Sequence, residues 1–150
     1  MTAFAFGAPL AAQPAPDTNR LPIVAANTSF ALDLYQREKT SSDNLFFSPY
    51  SLSTALGMTY CGAQGQTASE MARVLYFDVP QAEVPHGFAT LTRQLDAITR
   101  TDTLKLDIAN SLWCQEDFRF TESFLALTRD DFRAEARQVD FAHKAESIRA

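Results

Sequence analysis

The chain has 150 residues, of which 46% are hydrophobic and twelve are Phe, and its formal net charge is -5. This composition favours a folded domain with a hydrophobic core, excludes a disordered chain, and gives no electrostatic reason to bind nucleic acid or anionic lipid. The two cysteines, Cys61 and Cys114, cannot form a disulfide scaffold, and we favour two free thiols over the single bridge that stays open.

Residues 1–21 are interpreted as a leader. Its first 16 residues, MTAFAFGAPLAAQPAP, are apolar, small and rich in Pro, and their A-A-Q-P-A stretch resembles the end of a secretory signal. No Lys or Arg precedes its apolar part, so the positively charged start of a signal peptide is missing. A trimmed signal and a disordered leader both stay open. We favour the trimmed signal, which predicts an extracellular or secreted protein, and we look for the fold in residues 22–150.

The first predicted helix begins at Pro22, where the missing N–H of proline carries no penalty. Ile23, Phe30 and Leu34 then recur at helical spacing and predict its buried stripe. Asn27-Thr28-Ser29 is a formal glycosylation sequon. Because it falls inside this helix, we expect it to be unused.

The segment from Asn44 to Ser69 contains no charged residue and no His, although 21% of the chain is charged. A membrane span is disfavoured because Pro and Gly interrupt the segment long before about 20 apolar residues. A linker is disfavoured because Leu, Phe and Met are frequent. We predict a short buried strand over residues 45–47 and a helix from about Pro49 to Cys61, capped by Ser48 and buried on every side.

Further along the chain, Thr67 and Glu70 have the spacing of a capping box and predict a helix start. A longer amphipathic helix is predicted by apolar residues at helical spacing, namely Phe88, Leu91, Leu95 and Ile98. The period then changes to two over residues 104–113, which predicts a strand with Leu104, Ile108 and Leu112 on one face.

The last predicted elements are a helix capped by Thr121, with Phe120 and Leu125 as its hydrophobic staple, and a strand over residues 134–141. Another helix begins after this strand and stops in mid-turn at Ala150. The total is about six helices and two or three short strands, and two strands make a poor sheet among so many helices. We therefore interpret the chain as the amino-terminal part of a larger α+β domain.

The order of these segments and their residue patterns resemble those of the serpin family from about Pro22 to Ala150. The stretch NLFFSPYS, residues 44–51, is similar to the family pattern of Asn, two aromatic or aliphatic residues, Phe-Ser-Pro, one residue and Ser. The stretch ALGMTYCGAQGQTASEM resembles the helix, turn and helix that follow it. LKLDIANSLW resembles the central strand of the family, and AEARQVDF resembles the strand before its next helix.

The resemblance implies the amino-terminal helices and first sheet strands of a serpin fold, incomplete in this chain. It also implies an inhibitor of a serine or cysteine protease. In such an inhibitor the reactive loop inserts into the protein's own sheet as an extra strand, and this insertion traps the protease. That loop lies near the family's carboxyl terminus. We therefore expect no reactive bond, no catalytic residue and no inhibition of a protease by this chain alone.

The resemblance also implies a shutter region beneath the sheet, where small hydroxyl side chains hydrogen-bond to strand backbone and allow the strands to separate. In this sequence it would contain Ser48, Ser51 and the nearby Asn44. Without the resemblance, Ser48 would be an ordinary helix cap and Ser51 an ordinary packing residue. For Ser48 both roles are compatible.

Other kinds of site are disfavoured by the sequence. His86 and His143 lie in polar stretches, no G-x-S-x-G elbow is present, and the histidines and cysteines do not have zinc-site spacing. We therefore expect no metal, no cofactor and no enzymatic activity. A heparin-type site in the fourth helix is not expected either, because its basic residues are balanced by acidic ones: Arg93 and Arg100 against Glu83, Asp96 and Asp102.

Two alternatives to an inhibitor stay open. One is a non-inhibitory serpin acting as a binding or chaperone-like protein. The residues at the hinge of the reactive loop would distinguish it from an inhibitor, because small residues there favour insertion and Pro or bulky charged residues oppose it. The other is a stand-alone α+β enzyme domain, which would need a catalytic constellation that this sequence does not offer.

Overall fold

The structure, a computed structural model, describes residues 21–39, 44–99 and 107–143. Its elements are α1 Pro22–Glu38, α2 Pro49–Gly62, α3 Gly65–Leu75, a 3-10 turn Gln81–Glu83, α4 Val84–Thr99, β1 Asn110–Gln115, α5 Glu122–Asp130 and β2 Ala134–Val139. The predicted α+β class is confirmed, with helices dominating and one small sheet. Among the described residues, no helix has both the length and the apolar character needed to cross a bilayer.

Helix α1 begins at Pro22 as predicted, and the buried stripe contains Ile23 and Phe30 together with Ala26. Leu34 is half-buried against the same core. This stripe packs on α2, α3 and α4. The helical periodicity therefore identified the correct face.

The centre of the core is a chain of four aromatic rings contributed by separate elements. Phe77 lies 5.2 Å from Tyr60 and 6.1 Å from Phe88, and Phe88 lies 5.3 Å from Phe132, measured between ring centroids. Phe88 has no exposed surface. The rings join α2, the segment after α3, α4 and the approach to β2, so these elements share one core.

The two strands pair in parallel, from Asn110 opposite Ala134 to Gln115 opposite Val139, with α5 as the crossover between them. Cys114 is buried while Ser111 and Trp113 are exposed, so the predicted alternation is confirmed over these positions. The strand is shorter at its start than predicted, because residues 107–109 are not in the sheet and residues 104–106 lie outside the described ranges.

The predicted strand over residues 45–47 is wrong. Residues 44–48 belong to neither a helix nor a strand, and the side chain of Phe46 is 98% exposed. A strand needs a neighbouring backbone to pair with its N–H and C=O groups. Within the described part of the chain, the sheet consists of β1 and β2 alone.

The predicted capping box at Thr67 and Glu70 is also wrong. Helix α3 begins at Gly65, whose φ of 58° lies in the left-handed region, and Gln64 is at the cap position without a side-chain cap bond. Glycine adopts this conformation without strain, so the chain turns directly from α2 into α3. Thr67 therefore lies inside the helix, and Glu70 accepts a hydrogen bond from the amide of Gln66 instead.

The end of the second strand differs from the prediction as well, because β2 stops at Val139 and Phe141 opens a helical turn. Asp140 causes the change: its Oδ1 accepts a hydrogen bond from the backbone N–H of His143 at 3.1 Å, as a helix N-cap does. The helix predicted beyond this point falls on residues 144–150, outside the described ranges.

Helix α5 begins as predicted, since Thr121 Oγ1 accepts a hydrogen bond from the N–H of Phe124 at 3.3 Å. Phe120 contacts two aromatic rings, Phe124 at 5.8 Å in a stacked arrangement and Phe118 at 6.1 Å, measured between centroids. On α4, Phe88 is buried and Leu91 and Leu95 are half-buried as predicted. Ile98, near the end of that helix, is exposed.

Candidate functional site at the start of helix α2

The first turn of α2 holds two serines in contact. Ser48 is the N-cap, and its Oγ accepts a hydrogen bond from the N–H of Ser51 at 3.3 Å, so the predicted cap is confirmed. The two hydroxyl oxygens are 2.9 Å apart and share a hydrogen bond. Both side chains are exposed. We call Ser48 and Ser51 the serine pair.

The hydrogen-bonding capacity of the serine pair is only partly used. Two hydroxyls carry two donor hydrogens and four acceptor lone pairs. One hydrogen is used between them, and Ser48 also accepts from the backbone. Among the described hydrogen bonds, one donor and two acceptor positions are therefore left for another group, such as a backbone C=O or N–H.

Asn44, the third residue implied by the resemblance, is exposed and lies outside any helix or strand. Among the described hydrogen bonds, none joins it to the serine pair. The structure thus joins Ser48 and Ser51 by a hydrogen bond and describes no such bond to Asn44.

One face of α2 is exposed and carries no charge, so the prediction that this helix is buried on every side is wrong. Its buried residues are Ser53, Thr54, Gly57, Met58 and Tyr60. We call the opposite side the uncharged face; it consists of Ser51, Leu52, Ala55, Leu56 and Thr59, all exposed. The elements packed against α2 in the described structure are α1, α3, α4, the 3-10 turn and α5, and they leave this face open.

The prediction of full burial rested on the absence of charged residues from α2. A helix without charges can be surrounded by its own domain, but it can also have one face that another part of a larger molecule covers. Leu52 and Leu56 are 41% and 39% exposed. A contiguous apolar and uncharged strip of this kind is typical of a contact surface.

A cavity of about 840 Å³ opens at the other end of α2, between α2, α3, β1 and α5. Cys61 lines it, and burial together with the charge of Asp131 raises the pKa of its thiol to about 12. Burial also raises the pKa of Cys114. Both cysteines are free, as predicted, and a protonated buried thiol is a poor nucleophile at neutral pH.

The histidines do not form a catalytic arrangement with these groups. His86 and His143 are both exposed, and Nδ1 of His143 lies 3.0 Å from Oδ1 of Asp140 beside the cap described above. Within residues 21–39, 44–99 and 107–143, no cluster of three or more His, Cys, Asp or Glu side chains could hold a metal ion.

Comparison with known proteins identifies the class. Residues 25–150 match the family model described as "Serpin (serine protease inhibitor)". The chain belongs to the serpin family.

Its relatives include the leukocyte elastase inhibitor of Bos taurus, 39% identical over 127 residues that cover 83% of this chain and 33% of that protein. Leukocyte elastase inhibitor A of Mus musculus is 36% identical with the same coverage. An uncharacterized serpin-like protein of Thermococcus kodakarensis is 37% identical over 129 residues, which cover 85% of this chain and 30% of that protein. The chain thus spans about a third of the length of the curated relatives it matches.

Proposed function

We propose that residues 22–150 are the amino-terminal part of a serpin domain that continues beyond Ala150, and that the whole protein inhibits a serine or cysteine protease. Inhibition would follow the family mechanism, in which the cleaved reactive loop inserts as an extra strand and traps the protease as an acyl-enzyme. The observation that carries this proposal is the uncharged face of α2, with the serine pair at its start, in a chain of the serpin family.

In this proposal a sheet covers the uncharged face, and Ser48, Ser51 and Asn44 form the shutter region beneath it. The serine pair keeps one donor and two acceptor positions for strand backbone, as described above. Small side chains leave room for neighbouring strands to separate and for another strand to enter. A hydroxyl pair can exchange one backbone partner for another, so opening leaves no buried polar group unpaired.

The partners follow from the same proposal. The target protease would bind through the reactive loop, outside this chain, so the chain itself carries no reactive bond and is not an enzyme. Nucleic acid, membranes and heparin are not proposed partners, since the net charge is -5 and the cations of the α4 region are engaged: Arg93 with Thr90 and Arg133 with Asp96. Arg100 and Asp102 lie outside the described residues. Secretion remains a prediction from the leader, of which residues 1–20 also lie outside the described residues.

The proposal is tested by reading the transcript past the codon for Ala150 and expressing the protein that it encodes. This intact protein is incubated with trypsin-, chymotrypsin-, subtilisin- and papain-like proteases and examined on denaturing gels. We expect a covalent complex, stable in detergent, with at least one of them. Cleavage without a complex in every case would contradict the inhibitor and favour the non-inhibitory serpin. A reading frame that ends at Ala150 would contradict the longer domain.

A further inference from the structure

Three contacts attach α2 to the segment between Gln81 and Thr92, and they occur in reverse order along the two partners. The end of α2 contacts Gln81, its middle contacts Phe88, and its beginning contacts Thr92. The segment therefore runs antiparallel to α2 over almost its full length. We call it the α2 strap, residues 81–92.

The contact at the end of α2 adds a second hydrogen bond to the carbonyl of Tyr60, which already accepts from the N–H of Ala63 at 3.0 Å, and supplies one to the carbonyl of the cap residue Ala63. Nε2 of Gln81 donates to the carbonyl oxygen of Tyr60 at 2.6 Å and to that of Ala63 at 2.9 Å. The final carbonyls of a helix lack partners within the helix. An amide nitrogen has two hydrogens, and Gln81 uses both here, so one side chain closes this end of α2.

The contact at the beginning of α2 is also polar and nearly buried. The hydroxyl oxygens of Tyr50 and Thr92 are 2.9 Å apart, and Thr92 itself donates to the carbonyl oxygen of Phe88 at 2.9 Å. Because Thr92 has only one hydroxyl hydrogen, the hydrogen between the two side chains comes from Tyr50. Tyr50 follows the first helical residue and lies next to Ser51 of the serine pair.

Between these two ends, the helices touch where α2 has no side chain. A Cβ on Gly57 would lie 2.7 Å from Cε2 of Phe88, so the backbone of α2 rests on this ring. The two polar contacts lie at opposite ends of α2, with this close contact between them. A displacement of α2 along its axis therefore changes the geometry of all three contacts.

We propose that Gln81 and the Tyr50–Thr92 pair are positioning residues, which hold α2 at one axial position and thereby fix the serine pair beneath the strands that part during loop insertion. The last clause rests on the proposed function; the attachment of α2 does not. The strap uses no charge, so its hold on α2 is independent of ionic strength.

The attachment is tested with two substitutions of opposite chemistry at one position in the intact protein. Gln81→Glu places an acceptor against two carbonyl oxygens, whereas Gln81→Lys keeps donors, which suit the last carbonyls of a helix. Gln94→Glu, at an exposed position of α4, is the matched control. The readout is the alkylation rate at Cys61 and at Cys114, determined by peptide mass spectrometry over a range of pH, so that the rate of the thiolate is separated from any change that the new charge makes in the pKa of the thiol.

We expect Gln81→Glu to accelerate alkylation of Cys61 about tenfold, which corresponds to 1.4 kcal/mol for opening the end of α2. Cys114 in β1 should keep its rate, and Gln81→Lys and Gln94→Glu should behave like wild type. Equal acceleration at both cysteines would show general unfolding and overturn the proposal. An unchanged rate at Cys61 would overturn it as well.

The role of these positioning residues in inhibition is tested by a second readout. It is the fraction of reacted inhibitor found in the covalent complex, compared with the fraction released as cleaved product. A contact with a merely structural role would not change this ratio. We expect Gln81→Glu and Tyr50→Phe to shift this ratio at least about twofold towards cleaved product, and Gln94→Glu to leave it unchanged. An unchanged ratio alongside faster Cys61 alkylation would refute the link to the serine pair. If wild type forms no complex, the proposed function fails while the Cys61 result still decides the attachment.

Discussion

At the scale of single residues, Tyr76 has an unfavourable backbone conformation at the end of α3. Its φ of 59° and ψ of 29° are left-handed, and the following N–H, of Phe77, closes the helix by donating to the carbonyl oxygen of Ala72 at 2.9 Å. A left-handed conformation costs a residue with a Cβ roughly 1–2 kcal/mol, and glycine is the usual residue at this position. The ring of Tyr76 is exposed and offsets little of this strain.

Replacing Tyr76 with Gly should therefore raise the free energy of unfolding by about 1 kcal/mol, measured by denaturant titration. Tyr76→Ala is the control, because it removes the ring and keeps the strain. A gain in the Ala variant equal to that in the Gly variant would mean that the ring, and not the backbone, is unfavourable.

Asp140 couples the cap after β2 to pH. Burial by itself would raise the pKa of this carboxyl group, but hydrogen bonds from the ring and backbone of His143, the charge of His143 and a hydrogen bond from Gln115 together lower it. The folded pKa is thus below the unfolded value of about 3.9. The stabilisation by the ionised carboxylate is present above that unfolded value and is lost as the pH falls through the folded pKa.

Asp140→Asn retains an acceptor oxygen for the cap and does not titrate. We expect wild type to melt at a higher temperature than this variant above about pH 5, and the difference to shrink as the pH falls from there through the lowered folded pKa. The measurement is a series of thermal denaturations from about pH 5 downwards. A difference in melting temperature that stays constant through the acid range would show that the charge of Asp140 does not stabilise the fold.

At the scale of elements, the packing of α2 on α4 depends on the absence of a side chain at Gly57. The ring of Phe88 that lies against it has no exposed surface and is enclosed by Phe77 and Phe132. It has no space to move away from an added methyl group. The distance between these two helices, and with it the position of the uncharged face, is set by this contact.

Gly57→Ala should lower the free energy of unfolding by about 1–3 kcal/mol, even though Ala gains up to about 1 kcal/mol in helix propensity. Gly62→Ala is the matched control in the same helix. Its Cβ would lie 3.1 Å from the half-buried ring of Phe124, which has room to shift, so a change within about 0.5 kcal/mol is expected there. Equal losses for both variants would contradict the importance of the Phe88 contact.

At the scale of the whole molecule, the exposed position of Ser51 makes a substitution there informative. If no further element covers α2, Ser51→Phe changes a surface residue and should alter stability by less than about 0.5 kcal/mol. If a sheet covers it, overpacking costs about 1–3 kcal/mol and the lost hydroxyl partner roughly 1–3 kcal/mol more.

For the intact protein we expect the second outcome: a lower melting temperature and, because a loosened sheet accepts a strand from a neighbour, a ladder of polymers on native gels. Ser69→Phe, at an exposed position of α3, is the control and should leave both measurements unchanged. An unaltered melting temperature without polymers for Ser51→Phe would refute the shutter role of this residue.

Features that depend on neighbours in sequence could be predicted from the sequence. Pro22, Ser48 and Thr121 start their helices as expected because a cap involves only the next few residues. The contact between Ser48 and Ser51 depends on sequence neighbours in the same way, because residues three apart meet at the start of a helix.

Features that depend on distant partners could not be predicted in this way. The strand expected at residues 45–47 needs a pairing partner, and the burial of α2 depends on what lies over Leu52 and Leu56. The bonds from Gln81 span 21 and 18 residues and leave no periodic signal. The candidate site was thus predicted from a family resemblance that a short motif carries, while its attachment to the molecule required the structure.

Trp113 gives this protein a built-in optical probe. It is the single tryptophan of the 150-residue sequence, and its exposed indole faces the guanidinium of Arg137 on β2, 5.5 Å from the ring centroid. Its Nε1 donates to the hydroxyl of Ser111 at 2.9 Å. Fluorescence emission of indole responds to nearby charge and water, so separation of β1 from β2 will change its colour and intensity. Movement of this sheet can therefore be followed in real time without attaching a dye.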